Sequence, residues 1–236
     1  MSSDLMRYSV IPVKNPREIV LLRGSGCVWR KCRFCNYHLD FSNDEKENFS
    51  INRQALSNVT GNYGKLEVIN SGSYSELDEN TKRLILQTCK EKSIHTLHFE
   101  SHWSLREDAA KEKEYLESKG ICVKRKIGVE TFDVSMREKQ FVKGIDTDRP
   151  EEIAAYFEEA CLLFGIKGQT LSSMEYDVET ALHYFERVCI NIMVENGMPV
   201  KPDPTVIALF CRQIYPRYQD NPRVDILMEN TEFGVG

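Results

Sequence analysis

Residues 18–35 of the chain read EIVLLRGSGCVWRKCRFC. The apolar run from Glu18 to Arg23 predicts a buried β-strand, which ends at Gly24-Ser25-Gly26. Three cysteines follow at once with the spacing C-x4-C-x2-C. In parallel α/β folds, ligands and chemistry gather where the strands end. This stretch therefore predicts an α/β fold with a metal or redox centre beyond its first buried strand.

Strand-like and helix-like segments alternate along the rest of the chain. Further strands are predicted at 66–70, 94–99, 122–129, 161–166, 188–194 and 223–227, and helices at 77–89, 108–118, 150–160, 178–187 and 204–214. The polar stretch 40–48 is predicted to be a loop or an ordered lid. Such alternation predicts a parallel sheet with helices outside it. The residues alone leave a partial barrel and an open doubly wound sheet as alternatives.

Composition narrows the class of protein. The 236 residues carry no obvious linker, so one domain is expected over 1–236, with a core at about 16–215 and a C-terminal extension at 216–236. A net charge of -5 argues against nucleic-acid binding through a broad positively charged surface. No apolar run reaches the ~20 residues of a membrane helix, and residues 1–7 lack the apolar stretch of a signal peptide. A cytoplasmic location is expected, where eight cysteines indicate metal or redox chemistry rather than disulfides.

The clustered cysteines, Cys27, Cys32 and Cys35, allow three interpretations. They could hold a four-iron–four-sulfur cluster with one open iron, which needs only three thiolates. They could hold zinc, with His38 as a crowded fourth ligand. They could also be incidental, although three cysteines on one glycine-rich loop make this the weakest interpretation. The other five lie in apolar runs and are expected to be buried small hydrophobic residues: Cys89, Cys122, Cys161, Cys189 and Cys211.

The strand followed by Cys27 and Cys32-Arg33-Phe34-Cys35 resembles the signature of the radical S-adenosylmethionine (SAM) superfamily, in which an aromatic residue precedes the third cysteine. The usual spacing is C-x3-C-x2-C, one residue shorter than here. Three further stretches resemble motifs of that superfamily, and each coincides with the end of a predicted strand: 70–73 (NSGS), 127–133 (IGVETFD, followed by Arg137 and Lys143-Gly144) and 163–170 (LFGIKGQT).

The resemblance implies a partial (β/α)6 barrel of the TIM-like type, with one [4Fe-4S] cluster on Cys27, Cys32 and Cys35. It also implies SAM as cofactor, which binds the open iron and is cleaved reductively to a 5′-deoxyadenosyl radical. An electron donor such as flavodoxin or ferredoxin is then required. The implied cofactor-binding residues are Phe34, Ser71, Gly72, Ser73, Glu100, Ser101, Glu130, Gly165 and Gly168. Among them, the carboxylate of Glu130 would accept hydrogen bonds from the ribose hydroxyls.

Within the superfamily, the short chain, the C-x4-C-x2-C loop and the block Phe99-Glu100-Ser101-His102-Trp103 resemble the queuine lyase group. Those enzymes release 7-aminomethyl-7-deazaguanine from queuine for queuosine salvage. The resemblance implies a small 7-deazaguanine base as substrate. The apolar pattern predicts no membrane partner, and the acidic charge argues against a nucleic-acid partner. The expected substrate-binding residues are His102, Trp103, Asn191, Met193, Glu195 and Asp203. A radical SAM enzyme acting on deazaguanine-modified tRNA and a zinc-binding module remain alternatives.

Overall fold

A computed structural model describes residues 5–229 and 231–236. Residues 1–4, the start of the N-terminal stretch interpreted above, and Asn230 lie outside the described residues. The described residues divide into two compact units, with residues 5–30, 37–125 and 233–236 in the first and residues 31–36, 126–229 and 231–232 in the second. A single domain over 1–236 stays a prediction. Among the described residues, no helix is both long and apolar enough to cross a membrane.

The first unit is built on a sheet whose strands follow chain order. Strand β1 (Tyr8–Ile11) pairs antiparallel with β2 (Arg17–Leu22), and β3 (Lys65–Asn70) and β4 (Thr96–Glu100) follow in parallel. Helices α1 (Glu45–Leu56), α2 (Glu79–Glu91) and α3 (Arg106–Ser118) come after β2, β3 and β4. Every residue of β2 is buried, which is typical of a parallel strand covered on both faces.

Side-chain caps and aromatic packing fix the local structure of the first unit. The carboxylate of Asp44 accepts hydrogen bonds from two backbone amides in the first turn of α1, and Asp78 accepts one at the start of α2. Tyr74 stacks on Phe99 with 4.4 Å between the ring centroids. Buried aliphatic side chains complete this core: Val20, Leu22, Leu66, Val68, Ile85 and Leu97.

Strand β5 (Cys122–Glu130) begins in the first unit and ends in the second. In the second unit it pairs in parallel with β6 (Glu159–Phe164), which is followed by β7 (Arg187–Ile192) and β8 (Val224–Leu227) in the same direction. The helices of this unit are α4 (Pro150–Ala154), α5 (Leu171–Tyr184), α6 (Pro204–Leu209) and α7 (Tyr215–Tyr218). A small apolar core lies at and just beyond the ends of β6 and β7: Phe141, Leu163, Ile166, Met193 and Val200.

All seven predicted strands are present within three residues of their predicted bounds, and parallel pairing is confirmed within each unit. Three predicted elements differ. The helix predicted at 178–187 begins earlier, at Leu171, and ends at Tyr184, because residue 187 already belongs to β7. The stretch 40–48 is not wholly a loop, because α1 begins at Glu45. The predicted helix 150–160 is too long, because residues 159 and 160 already belong to β6. Strand β1 was missed.

Candidate active site

The loop that carries Cys27 follows β2 and is held in shape by Arg30. Gly26 has a φ of +90°, a conformation that glycine adopts without strain. The Arg30 guanidinium donates hydrogen bonds to the carbonyl oxygens of Cys27 (2.8 Å) and Ser25 (2.7 Å), and it lies 4.5 Å from the ring centroid of Phe41. Residues 25–30 therefore form a defined turn around Cys27.

The loop after β3 packs directly against the backbone of Cys27. A Cβ atom at Gly72 would lie 2.5 Å from the Glu76 carboxylate, 3.1 Å from the Cα atom of Cys27 and 3.2 Å from its nitrogen, so a larger residue here would require its neighbours to shift. The carboxylate of Glu76 accepts hydrogen bonds from the amides of Ser73 (2.6 Å) and Val28 (2.5 Å). Burial raises the pKa of Glu76, although the hydrogen bonds from these amides partly oppose that change. One carboxylate thus joins the two loops.

The serines beside Gly72 are buried and hydrogen-bonded. The hydroxyl of Ser71 donates to the carbonyl oxygen of Asp40. The carbonyl oxygen of Ser73 accepts a hydrogen bond from the Asn70 side chain (3.1 Å), and its hydroxyl accepts one from the amide of His102 (2.9 Å). The loop after β3 is therefore fastened to the residues that follow β4.

Beyond β4, aromatic side chains surround His102. Its ring stacks on Trp29, with centroids 5.2 Å apart and planes 19° from parallel. The Nδ1 atom of His102 lies 2.8 Å from the hydroxyl oxygen and 3.2 Å from the amide nitrogen of Ser104. Trp103 is buried beneath the guanidinium of Arg106. The other predicted residues here, Glu100 and Ser101, are half-buried and buried, respectively.

Cys32 and Cys35 lie on a short segment that is hydrogen-bonded to other residues of the second unit. The amide of Arg33 donates to the carbonyl oxygen of Phe141 (3.0 Å), and the amide of Val200 donates to the carbonyl oxygen of Arg33 (3.0 Å). The Phe34 ring meets Phe141 edge-on, with centroids 5.5 Å apart. These contacts fix the backbone that presents both thiols.

Glu130, at the end of β5, is buried and paired. Its Oε1 atom accepts a hydrogen bond from the Lys143 ammonium at 2.8 Å. A Cβ atom at Gly128 would collide with the Glu130 carboxylate and lie 2.8 Å from the Lys143 nitrogen, so the glycine makes room for this pair. Glu130 itself has a φ of +69°, an uncommon conformation for a residue with a side chain.

The residues after Glu130 are anchored by Asp177 of α5. This buried carboxylate accepts a hydrogen bond from the amide of Phe132 at 2.7 Å. Burial raises the pKa of Asp177 to about 6, while the hydrogen bonds from Phe132 and Thr131 partly oppose the rise. The turn that leaves β5 is thereby held from a helix packed behind it.

The loop after β6 contains the two predicted glycines. Gly165 has a φ of +90°, and a Cβ atom there would lie 2.7 Å from a side-chain carbon of Ile207. Gly168 has a φ of +101°. The Gln169 side chain accepts a hydrogen bond from the amide of Ile166 (3.0 Å) and donates one to the carbonyl oxygen of Leu163 (2.8 Å), which closes the loop upon itself.

A cavity of about 510 Å³ opens beside this loop, a size suited to a small molecule. Arg33, Gln140 and Lys167 line it together with residues 199–204. Of the predicted substrate residues, Asp203 lines this cavity. Met193 is packed in the apolar core, and Asn191 lies within β7.

The two predicted substrate carboxylates have local partners. Asp203 caps α6 by accepting a hydrogen bond from the amide of Thr205 at 2.9 Å. Glu195 is exposed and accepts a hydrogen bond from the Lys201 ammonium at 2.5 Å. That hydrogen bond lowers the pKa of Glu195. Each carboxylate therefore already has a structural role in the protein.

Comparisons with known proteins identify the chain. No protein-family model matches it, and no curated protein does either. One solved structure, a queuine lyase from Clostridium spiroforme bound to SAM and queuine, is 40% identical in sequence with a TM-score of 0.94. The match covers 99% of this chain and 100% of that one.

The chain belongs to the queuine lyase family. This membership confirms the predicted radical SAM superfamily, the partial TIM-like barrel fold and the lyase class of enzyme. It excludes the alternative of a zinc-binding module without radical chemistry. The residues assigned to cluster, SAM and substrate stay predictions.

The thiols of Cys27, Cys32 and Cys35 are the type of donor that an iron–sulfur cluster requires. None of the eight cysteines forms a disulfide, and Cys27, Cys32 and Cys35 are all partly exposed. Across residues 5–229 and 231–236, no three His, Cys, Asp or Glu side chains are grouped around a single-ion site. In a four-iron cluster each cysteine binds a different iron, so the thiolates stand farther apart than ligands of one ion.

Two other cysteines, Cys122 and Cys211, are exposed, which corrects their expected burial.

Four residues of the lyase were not assigned a role from the sequence: Trp29, Glu76, Lys143 and Asp177. Glu76 had a detectable signal, because Ser73 and Glu76 form a capping box, S-x-x-E. Trp29 lies inside the cysteine motif. Lys143 belongs to the stretch that resembles a superfamily motif. Asp177 had no local signal, since its hydrogen-bond partner Phe132 lies 45 residues earlier in the chain.

Proposed function

We propose that this queuine lyase binds SAM and queuine and cleaves the carbon–nitrogen bond that joins the cyclopentenediol arm to the aminomethyl group. The product is 7-aminomethyl-7-deazaguanine, which re-enters queuosine-tRNA synthesis. The observation that carries the proposal is the full-length match, at 40% identity and a TM-score of 0.94, to a queuine lyase solved with both molecules bound.

Cys27, Cys32 and Cys35 would hold one [4Fe-4S] cluster. When bound and reduced, that cluster supplies the electron that splits SAM into methionine and a 5′-deoxyadenosyl radical. The protein's part is to hold the thiolates and exclude water. Arg30 fixes the turn at Cys27, and Phe141 and Val200 fix the segment that includes Cys32 and Cys35. A flavodoxin or ferredoxin is the proposed electron donor.

The loop Ser71-Gly72-Ser73 would receive the methionine end of SAM. Its backbone lies against that of Cys27, and Gly72 places no side chain between the two. Glu130 would accept hydrogen bonds from the ribose hydroxyls, while Glu100, Ser101 and Phe34 would line the SAM site. Gly165 and Gly168 would let the backbone approach the adenine.

His102, Trp103, Asn191, Met193, Glu195 and Asp203 are the proposed substrate residues. The imidazole of His102, which stacks on Trp29, is a group that can hydrogen-bond to a purine-like base. Asp203 lines the 510 Å³ cavity, whereas Glu195 is exposed and paired with Lys201. Asp203 is therefore the better placed of the two acids to accept hydrogen bonds from the base.

Changing Glu130 tests the SAM site directly. The variant E130A removes a charge-assisted acceptor, so we expect SAM binding to weaken by ~1.5–3 kcal/mol. Because E130A also strips Lys143 of its partner, E130Q is the matched variant: it keeps an acceptor for Lys143 and should bind SAM at an intermediate strength. SAM affinity is measured by equilibrium dialysis on the reconstituted protein. Unchanged affinity in both variants would remove Glu130 from the SAM site.

A further inference from the structure

Lys143 carries a positive charge into the interior of the second unit. Only 11% of its side chain is exposed. The ammonium nitrogen lies 2.8 Å from Oε1 of Glu130 and 5.5 Å from the centre of the Phe34 ring, which stands between Arg33 and Cys35 in sequence. A buried ammonium is costly unless negative charge or aromatic faces compensate it.

The backbone around Lys143 is built to hold the charge at this place. The amide of Lys143 donates to the carbonyl oxygen of Arg137 (3.1 Å), and Arg137 is itself buried and ion-paired with Glu138. The Glu138 carboxylate also accepts a hydrogen bond from the amide of Gly144 (2.7 Å). The neighbour of Lys143, Val142, has a φ of +57°. The segment is therefore pinned on both sides of the ammonium.

Glu130 is not the only negative group that acts on Lys143. Burial alone lowers the pKa of a lysine, yet the pKa of Lys143 is raised. The negative charges of Glu130, Cys32 and Cys35 outweigh the effect of burial. The geometry points the same way, because the ammonium lies 5.5 Å from the centre of the Phe34 ring and Phe34 directly precedes Cys35 in the sequence.

We propose that Lys143 is a positioning residue with two roles: it fixes the Glu130 carboxylate, and its positive charge raises the reduction potential of the cluster held by Cys32 and Cys35. This inference rests on the proposed function. Reduction adds negative charge to the cluster, so a nearby cation stabilises the reduced form more than the oxidised form. Lys143 would make the cluster easier to reduce.

The test is a redox titration of reconstituted protein, followed by electron paramagnetic resonance, without SAM or queuine. The variant K143M removes the charge and keeps the length of the side chain, whereas K143R keeps the charge. We expect K143M to shift the midpoint potential to more negative values, with about a tenfold lower ratio of reduced to oxidised cluster at a fixed potential, and K143R to stay close to wild type. A purely structural role would not produce this dependence on charge.

The variant E130Q gives a second measurement in which Lys143 is untouched. Removing the carboxylate charge leaves the ammonium less neutralised, so the midpoint potential should shift to more positive values. An intact cluster with unchanged potential in K143M, or in E130Q if K143M does not fold, would overturn the inference and leave the proposed function standing. A wild-type chain that binds no cluster at all would contradict the proposed function first, and this inference with it.

Discussion

The carboxylate of Glu76 lies 2.5 Å from the backbone amide of Val28, the residue that follows Cys27. Its other oxygen accepts a hydrogen bond from the amide of Ser73 at 2.6 Å. A single side chain therefore sets the position of the first cysteine relative to the loop proposed to bind the methionine end of SAM. The two loops are 48 residues apart in sequence at this contact.

Replacing Glu76 should loosen this connection in graded steps. The variant E76Q keeps one oxygen and leaves one of the two amides without its acceptor, which should cost ~1 kcal/mol of unfolding free energy. The variant E76A leaves both without one and should cost ~2–3 kcal/mol. Urea unfolding of the cluster-free protein measures both. Equal losses in the two variants would show that the paired hydrogen bonds do not matter separately.

Gly72 should tolerate no side chain. In G72A the new Cβ atom would lie 2.5 Å from Glu76 Oε2 and 3.1 Å from Cys27 Cα, so the loop must move away from the cysteine. We expect at least tenfold weaker SAM binding, about 1.4 kcal/mol. The control is G120A: Gly120 has a φ of +85° but open space around it, so that variant should lose some stability and keep its SAM affinity. Equal SAM affinity in G72A and wild type would contradict the assigned loop.

Asp177 should make stability depend on pH. Its pKa is raised from 3.8 to about 6 in the folded protein, so it favours folding fully below pH 4 and loses that contribution as the pH rises through 6. The variant D177N has no such titration and can still accept the hydrogen bond from Phe132. The unfolding free energy of D177N relative to wild type should therefore increase between pH 4 and 7, by on the order of 2–3 kcal/mol. A difference that stays constant over this range would contradict the buried, protonated carboxyl group.

The three clustered cysteines should be separately required for iron. Anaerobic reconstitution of the wild type should give about four irons per chain, and C27A, C32A or C35A should each lose the broad visible absorbance. The exposed Cys211 offers a control, since C211A removes a thiol that is more accessible than the three clustered ones and lies outside the motif. Loss of iron in C211A, or its retention in C32A, would contradict the assigned ligands.

Sequence patterns found the strands because β2 and β6 are buried along their whole length, so their apolar runs are continuous. Helix α1 was not predicted from the apolar pattern, because polar side chains hold it against the rest of the protein. Its buried Asn52 accepts a hydrogen bond from the amide of Arg23 (2.7 Å) and donates one to the carbonyl oxygen of the same residue (2.8 Å). Hydrophobic periodicity cannot reveal a helix that is held in this way.

The residues of the candidate site also differ in whether the sequence could predict them. Cysteines and glycines carry their chemistry in local motifs, so Cys27 and Gly72 could be predicted. The long-range contacts of the site could not, because Glu76 accepts a hydrogen bond from the amide of Val28 and Asp177 one from the amide of Phe132, each more than 40 residues away in the chain. For Asp203 the sequence is ambiguous, because an aspartate at this position fits a helix cap and a ligand equally well. In the structure, Asp203 caps α6 and lies beside a cavity.

The most direct measurement is the fate of queuine. Reconstituted, reduced protein is incubated anaerobically with SAM and queuine, and the products are separated and identified by mass. The account predicts that 7-aminomethyl-7-deazaguanine accumulates together with 5′-deoxyadenosine, and that neither forms when C32A replaces the wild type. Queuine that stays intact while SAM is cleaved, with turnover only when a deazaguanine-modified tRNA is supplied, would contradict it.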